Sequence, residues 1–153
     1  MISKKTKYGL LALLALARKF GEGPVPIVDL AEQEGIPKKF LEMILLQLKN
    51  AGILASRKGK GGGYFLAKDP AVVTMGQAIR VLEGPLAPIP CASETAYQKC
   101  EECDDEASCG IRLVMKDVRN AIAAILDHTS IKDVLIRSQG AARTAREVID
   151  FII

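Results

Sequence analysis

The sequence lacks the features of a membrane protein and of the common enzyme classes. It contains no uncharged apolar run of about 18 residues, so no membrane-spanning helix is expected. The apolar stretch 10–17 follows three lysines as in a signal peptide, but no A-x-A-like cleavage site comes after it, and we interpret it as a buried helix. Histidine occurs once, at His128, and no Ser/His/Asp or Cys/His constellation can be assembled. An enzyme is therefore the least favoured class.

Cysteine is absent from most of the chain and concentrated in one window. All four cysteines fall within 19 positions, with the spacing C-x8-C-x2-C-x5-C, at Cys91, Cys100, Cys103 and Cys109. This clustering predicts a single site. The chain is expected in the cytoplasm, where thiols are kept reduced, so metal or redox chemistry is favoured over resting disulfides.

The net charge of +3 conceals an asymmetry between the two halves of the chain. Residues 1–70 carry 12 Lys and Arg against 6 Asp and Glu, a balance of +6. Residues 71–153 carry 9 against 12, a balance of −3. The basic N-terminal half is typical of a protein that binds a polyanion such as DNA, although a solvated basic surface has the same composition.

The N-terminal half has the pattern of a winged helix-turn-helix. Apolar residues at helical spacing predict helices over 3–20, 28–34 and 37–51, the last two separated by the turn at Gly35. Two strands follow, 53–56 and 64–66, joined by the loop R-K-G-K-G-G-G. A basic, glycine-rich hairpin directly after a helix pair indicates a wing that contacts DNA phosphates. An ordinary hairpin turn is the alternative.

The second half is predicted to contain a long loop and a long helix. Thr74 caps a helix over 75–82, and residues 84–109 form an irregular stretch that carries the cysteines. A long amphipathic helix follows over 111–127, then a short helix from Thr129 or Ser130 through Leu135 and a weakly specified helix over 138–153 with the apolar end Phe151-Ile152-Ile153. The long helix needs a partner for its apolar side, and a second copy of the chain would give a symmetric dimer. That side comprises Leu113, Val114, Val118, Ile122, Ile125 and Leu126.

Several motifs in this order resemble one known family. They are M-I-S-K-K-T-K-Y-G-L, G-P-V-P-I-V-D-L-A-E-Q-E-G-I-P-K-K-F-L-E, L-K-N-A-G-I-L-A-S-R-K-G-K-G-G-G-Y-F-L and, after the cysteine loop, C-G-I-R-L-V-M-K-D-V. Together they resemble the IscR/NsrR/CymR-type bacterial winged-helix transcription regulators over about residues 1–137. The resemblance implies a homodimer paired through the long helix, binding to double-stranded operator DNA, and often an iron–sulfur cluster held by three loop cysteines.

The resemblance also implies roles for individual cysteines. Cys91, Cys103 and Cys109 match the family's three ligands, although the gap between the first two is longer here. The positions where IscR-like and NsrR-like members place their fourth ligand hold Arg112 and Lys7 in this chain. Cys100 is the natural replacement, which makes all four cysteines the expected metal ligands.

The chemistry of the cysteine site stays open between several alternatives. An iron–sulfur cluster is favoured, with 2Fe-2S ahead of 4Fe-4S, and zinc and a metal-free thiol sensor follow. Asp104 could replace Cys100 as a ligand, but the five acids within 101–106 are better interpreted as solvated. His128, at the end of the long helix, is interpreted as a capping residue and not a ligand.

The expected fold is therefore mainly α with a small β-hairpin wing. Residues 1–83 form the DNA-binding domain, 84–109 the sensor loop, 110–137 the dimerisation helix and the short helix after it, and 138–153 a C-terminal tail. The expected function is a dimeric DNA-binding transcription regulator, a repressor, that senses iron, redox state or nitric oxide through an iron–sulfur cluster. The rivals are a metal-free thiol or small-molecule-responsive regulator of the cysteine-metabolism type and a structural zinc-binding interaction protein. The expected DNA contacts are Lys4, Lys5, Tyr8, Lys38, Lys39, Glu42, Met43, Gln47, Arg57, Lys58 and Lys60.

Overall fold

Six helices and one two-stranded hairpin make up the chain. The computed structural model describes the backbone of residues 2–152 and the side chains of residues 2–149. The elements are α1 Lys4–Arg18, α2 Ile27–Glu34, α3 Lys38–Asn50, β1 Leu54–Arg57, β2 Gly63–Leu66, α4 Met75–Leu82, α5 Gly110–Asp127 and α6 Ile131–Ile152, with a 3-10 turn at Pro90–Ala92. The mainly α fold with a hairpin is confirmed, and most predicted boundaries agree to within one residue.

The first three helices form one apolar core. Ser3 caps α1 by accepting a hydrogen bond from the Thr6 N–H, and Gly35 ends α2 in the left-handed conformation. The inner stripe of α3 is fully buried, as its helical spacing predicts: Leu41, Ile44, Leu45 and Leu48. Truncating a leucine in such a core costs about 2–5 kcal/mol of folding free energy. The core therefore holds α3 firmly while its other face stays free.

The hairpin is attached to the helical core through Val25. β1 and β2 are antiparallel, with Leu54 opposite Leu66, and Val25 forms an additional bridge to Tyr64 through two backbone hydrogen bonds of 2.8 and 2.9 Å. Gly63 makes this approach possible, because a Cβ there would lie 2.1 Å from the Val25 carbonyl oxygen. The hairpin is thereby fixed directly beside the end of α3.

α4 closes the N-terminal unit against α1. Thr74 and Gln77 form a capping box at its start. Gly9 of α1 lets the helices approach closely, since a Cβ there would lie 2.4 Å from Leu82 Cδ1. At the end of α4, Glu83 Oε2 accepts hydrogen bonds from Ser3 N, Ser3 Oγ and Thr6 Oγ1 at 2.9, 2.6 and 2.5 Å. These bonds lower the pKa of Glu83 to about 2.

The C-terminal part differs from the expected pattern. α6 is one continuous 22-residue helix, whereas the sequence suggests a short helix ending at Leu135 and a separate helix after it. Ser130 and Asp133 cap its start reciprocally, and Ile131 is fully buried in the core. Described residues from Ile136 onward are exposed, so helix propensity alone extends the element. The side chains of Phe151 and Ile152, and all of Ile153, lie outside the described residues.

Among the residues that the structure describes, no helix is long and apolar enough to cross a membrane.

Candidate nucleic-acid interface and cysteine site

The outer face of α3 presents a free, mostly polar surface. Lys38, Lys39, Glu42 and Met43 are exposed, and Met43 retains 59% of its accessible surface. All four project away from the buried leucine stripe of the same helix, as the period of 3.6 requires. An exposed helix with two lysines, one acid and one flexible apolar side chain has the groups needed to contact both phosphates and base edges.

Gln47 has a different position from the other predicted contacts of α3. Its side-chain amide donates a hydrogen bond of 2.5 Å to the Val81 carbonyl oxygen near the end of α4, and the residue is half-buried. This bond ties the C-terminal half of α3 to α4. This amide N–H already has a partner within the subunit. The DNA contact predicted for Gln47 is therefore not needed to explain the orientation of its side chain.

The wing presents three exposed cations. Arg57 lies at the end of β1, and Lys58 and Lys60 lie in the connecting turn. None of the three forms an ion pair with an acid within residues 2–149. Unpaired cations on a projecting loop can neutralise phosphate without first breaking an intramolecular salt bridge.

The N-terminal helix supports α3 through aromatic contacts that the sequence pattern did not reveal. Tyr8 packs edge-on against Phe40, with ring centroids 5.8 Å apart at 83°. The ammonium group of Lys4 lies 5.6 Å from the centre of the Tyr8 ring. Tyr8 is half-buried, and its contacts place Lys4 near the start of α3. The predicted contacts of these three residues with DNA stay predictions.

The Cys103 thiol lies close to the thiols of Cys100 and Cys109. This proximity raises the pKa of the Cys103 thiol to about 12. Cys109 is the N-cap residue of α5, and its side chain forms no capping hydrogen bond. The nearby Arg112 backbone N–H at the helix N-terminus and the Cys103 thiol lower the pKa of the Cys109 thiol. The two cysteines therefore differ, with Cys109 the more readily ionised group.

Cys91 occupies a separate position in the 3-10 turn. It is buried, with 8% of its surface exposed, and its thiol is not among the groups that shift the pKa of Cys103 or Cys109. Arg112 donates a hydrogen bond of 2.9 Å from Nε to the Cys91 carbonyl oxygen. The residue that stands where IscR-like members place a histidine thus fixes the backbone of the first cysteine.

The acids of the loop act mainly within the loop. Tyr97 Oη donates to Glu106 Oε2 at 2.5 Å, and the Cys100 N–H donates to Glu106 Oε1 at 3.2 Å. Both bonds lower the pKa of Glu106. Asp105 accepts from the Ala107 N–H at 3.0 Å. Glu106 therefore holds the segment around Cys100 in a defined turn, a role that spacing alone did not predict.

α5 leaves much of its apolar side uncovered. Ile111, Val114, Val118 and Ile125 are 69, 56, 38 and 63% exposed. Ile122 and Leu126 of the predicted stripe instead line a cavity of about 280 Å3 shared with Ile79 of α4. At the end of α5, His128 Nδ1 lies 2.8 Å from the Ala124 carbonyl oxygen, in agreement with its interpretation as a capping residue.

The donor chemistry of the loop fits a thiophilic metal group. Four thiols within 19 positions are the ligands that iron–sulfur clusters and structural zinc use. No group of three or more His, Cys, Asp or Glu side chains within the described residues already has the arrangement of a metal-ion site. Assembling a metal site from these thiols therefore requires the loop to rearrange.

The fold and this surface define a winged-helix protein, in which a helix pair and an adjacent basic hairpin form one exposed face. A family model described as "Rrf2: Iron-dependent Transcriptional regulator" matches residues 2–137, and the chain belongs to this Rrf2 family of transcriptional regulators. The expected resemblance to the IscR and CymR types is thereby confirmed.

Individual relatives agree with the family. An Rrf2-like HTH-type transcriptional regulator of Rhodobacter capsulatus is 42% identical over 146 residues, covering 94% of this chain and 97% of the relative. The structure of CymR, described as the global cysteine regulator of B. subtilis, superposes with a TM-score of 0.74 at 34% identity, covering 90% of this chain and 97% of CymR. The IscR structure of T. potens gives a TM-score of 0.72 at 30% identity, covering 92% and 90%.

Proposed function

We propose that this chain is a homodimeric regulator whose affinity for operator DNA depends on an iron–sulfur cluster bound by its loop cysteines. The observation that carries the proposal is the position of the thiols. They lie in the connection between the winged-helix unit, 1–83, and the exposed apolar helix α5, so a change at the thiols acts on both. In this division 84–109 is the sensor loop, 110–137 the dimerisation segment and 138–153 the tail.

The DNA-binding part of the proposal rests on the free face of α3 and on the wing. Lys38 and Lys39 are suited to phosphate or guanine, and Met43 to a thymine methyl group. Glu42 accepts a hydrogen bond from cytosine and repels phosphate, so it selects against a poorly matched site. Two copies of α3 in a symmetric dimer read half-sites about 34 Å apart, one helical turn of DNA. Such a regulator works in the cytoplasm.

The dimer part of the proposal rests on the exposed apolar side of α5. Four aliphatic side chains on one helix are more than an isolated subunit in water ordinarily exposes as a continuous stripe. A second copy that packs its own α5 against this stripe covers both surfaces by the same contacts. The two recognition helices are then spaced by the orientation of α5.

The cysteine part of the proposal rests on the donor set. The thiols of Cys100 and Cys109 already lie close to the thiol of Cys103, and Cys91 joins them when the 3-10 turn moves. A bound cluster supplies sensitivity to iron supply, oxidants and nitric oxide. A 2Fe-2S cluster is favoured over 4Fe-4S, and zinc is the alternative occupant. The chain's own contribution is to orient Cys109 at the start of α5 and to hold Cys100 through Glu106.

The test is anaerobic purification followed by reconstitution with ferrous iron and sulfide. We expect visible absorption with stoichiometric iron and sulfide in the wild type, and its loss in Cys109→Ala. Cys100→Ala should destabilise the absorption or shift it. A colourless wild-type protein containing one zinc per subunit would refute the iron–sulfur proposal, and an unchanged Cys100→Ala spectrum would assign the fourth ligand to another group.

A second candidate function is a metal-free regulator of the cysteine-responsive type. It is favoured by the contact between Cys103 and Cys109 and by similarity to CymR, which at 34% identity matches this chain more closely than the IscR of Aliivibrio salmonicida does at 28%. In that case operator affinity changes on thiol oxidation or with sulfur metabolites in metal-free protein. Measuring affinity after removal of all metal by a chelator distinguishes the two functions.

A further inference from the structure

The sensor loop is joined to α5 by a buried arginine. Arg119 retains only 7% of its accessible surface, and its NH1 atom forms an ion pair of 2.5 Å with Glu94 Oε1, three residues after Cys91. The second terminal nitrogen of Arg119 bonds to Asn120, and its Nε is the single buried side-chain nitrogen or oxygen without a hydrogen-bond partner in the described part of the chain. Glu94 is therefore the residue that supplies the negative charge to this cation.

The contact between loop and helix combines the buried residues Cys91, Ala92 and Ser93 with polar bonds to two arginines. Arg112 and Arg119 are seven residues apart, two helical turns, and so lie on one face of α5. Arg112 binds the Cys91 carbonyl oxygen and Arg119 binds the Glu94 side chain. A cavity of about 50 Å3 lies beside Arg119, between the loop and the helix. Two arginines therefore determine where residues 91–94 rest on α5.

Two further polar contacts extend from α5 to the recognition helix. Asp127, eight residues after Arg119, forms a two-pronged ion pair with Arg80 of α4 at 2.5 and 2.9 Å. The next residue of α4, Val81, accepts the 2.5 Å hydrogen bond from Gln47 of α3. Glu94–Arg119, Asp127–Arg80 and Val81–Gln47 are three separate contacts, joined by the backbones of α5 and α4, that lead from the cysteine loop to α3. We name this series the polar relay.

We propose that the polar relay couples the state of the cysteine loop to the orientation of the recognition helix, with Arg119 and Gln47 as positioning residues. The biological purpose of the relay rests on the proposed function. The contacts that form the relay do not depend on it. Moving Cys91 toward the other thiols draws Glu94 away from Arg119, because only two residues separate them. A buried cation without its partner is strongly unfavourable, so α5 must shift in response. Asp127 and Arg80 transfer that shift to α4.

The test compares Glu94→Gln, Arg119→Gln and Arg119→Lys with Arg143→Gln as the matched control. Arg143 and Glu147 form an exposed ion pair at 3.0 Å on α6, outside the relay. The Glu94 side chain is 77% exposed, so Glu94→Gln breaks the relay with little risk to folding even where Arg119→Gln does not fold. Arg119→Lys keeps the charge and should restore part of the coupling.

The first measurement needs neither iron nor DNA. The half-buried thiols of Cys100, Cys103 and Cys109 in the metal-free protein are alkylated with iodoacetamide, and amide hydrogen exchange is followed in residues 38–50. We expect alkylation to alter exchange in this segment in the wild type and in Arg143→Gln, and to leave it unaltered in Glu94→Gln. An unaltered wild type, or an equal response in Glu94→Gln, would overturn the relay.

The second measurement uses a DNA duplex selected by the wild-type protein from a random pool. Iron–sulfide reconstitution should change its affinity by about 5-fold or more in the wild type, in the range typical of coupled sites. In Glu94→Gln the change should fall below about 2-fold while visible absorption and iron content stay at wild-type values. If the wild type takes up no iron, the iron–sulfur proposal is refuted. The alkylation experiment still tests the relay in that case. An undiminished change in iron-loaded Glu94→Gln would refute the relay alone.

Discussion

Removing one wing cation gives the sharpest test of the DNA-binding proposal. Lys58 lies in the turn of the hairpin, is exposed and forms no ion pair within residues 2–149, so Lys58→Ala removes a charge without disturbing a described contact. Each neutralised phosphate contributes about 0.9 to the slope of log K against log salt concentration. A dimer loses two such contacts, so the slope should fall by about 1.8. At about 0.1 M monovalent salt, a fall of about 1.8 in the slope corresponds to about 60-fold weaker binding, or about 2.4 kcal/mol of binding free energy.

The assay is fluorescence anisotropy with the selected duplex at several salt concentrations. Lys58→Ala should bind cognate and scrambled duplexes more weakly by a similar factor, because phosphate contacts carry little sequence information. Lys132→Ala, on the exposed face of α6, is the control and should leave both affinity and slope unchanged. An unchanged slope in Lys58→Ala would exclude the wing from the interface. A loss confined to the cognate duplex would instead assign Lys58 a base contact.

Two further predictions concern acid stability and assembly. The pKa of Glu83 is about 2 in the folded chain against an ordinary 4.5, so its stabilising effect is complete above about pH 4.5 and is lost as pH falls toward 2. Urea midpoints measured from pH 5 to 2 should therefore decline less steeply in Glu83→Gln than in the wild type or the turn variant Glu22→Gln, and parallel curves would contradict this. Ile125→Glu, at a 63% exposed position on α5, should raise the dimer dissociation constant at least about 100-fold, because each of two buried isoleucines contributes about 1.5–3 kcal/mol. Sedimentation equilibrium measures that change, with exposed Val72→Glu as control; an unshifted dimer would place the interface elsewhere.

The helices and the wing were predictable because their signals are local. The stripe of α3 repeats at helical spacing, Gly35 marks a left-handed helix end, and the glycine-rich loop separates two short strands, so each signal lies within a few residues of its effect. The prediction that a short helix ends at Leu135 was wrong. A separate, weakly specified helix was expected over 138–153, but nothing terminates α6 after Leu135, and its buried start at Ile131 fixes its direction.

The cysteine window illustrates the limit of sequence for this site. Spacing grouped four thiols, and the family resemblance assigned Cys91, Cys103 and Cys109 as the principal ligands. The structure instead brings Cys100 to Cys103 and Cys109 and buries Cys91 against α5. That grouping depends on Arg112 and Glu106, whose bonding partners are 21 and 6 residues away in the chain.

By itself the sequence determined the class of the protein: a basic winged helix-turn-helix, a cysteine loop and a long apolar helix, in that order. These features follow from residue type and short-range period, which the chain carries wherever it folds. Only the tertiary structure decided how the parts are linked. Gln47 turns to Val81, and Arg119 pairs with Glu94, because the half-buried amide and the buried guanidinium need partners, which lie 34 and 25 residues away in the chain. The connection from thiols to recognition helix is therefore a property of the folded chain.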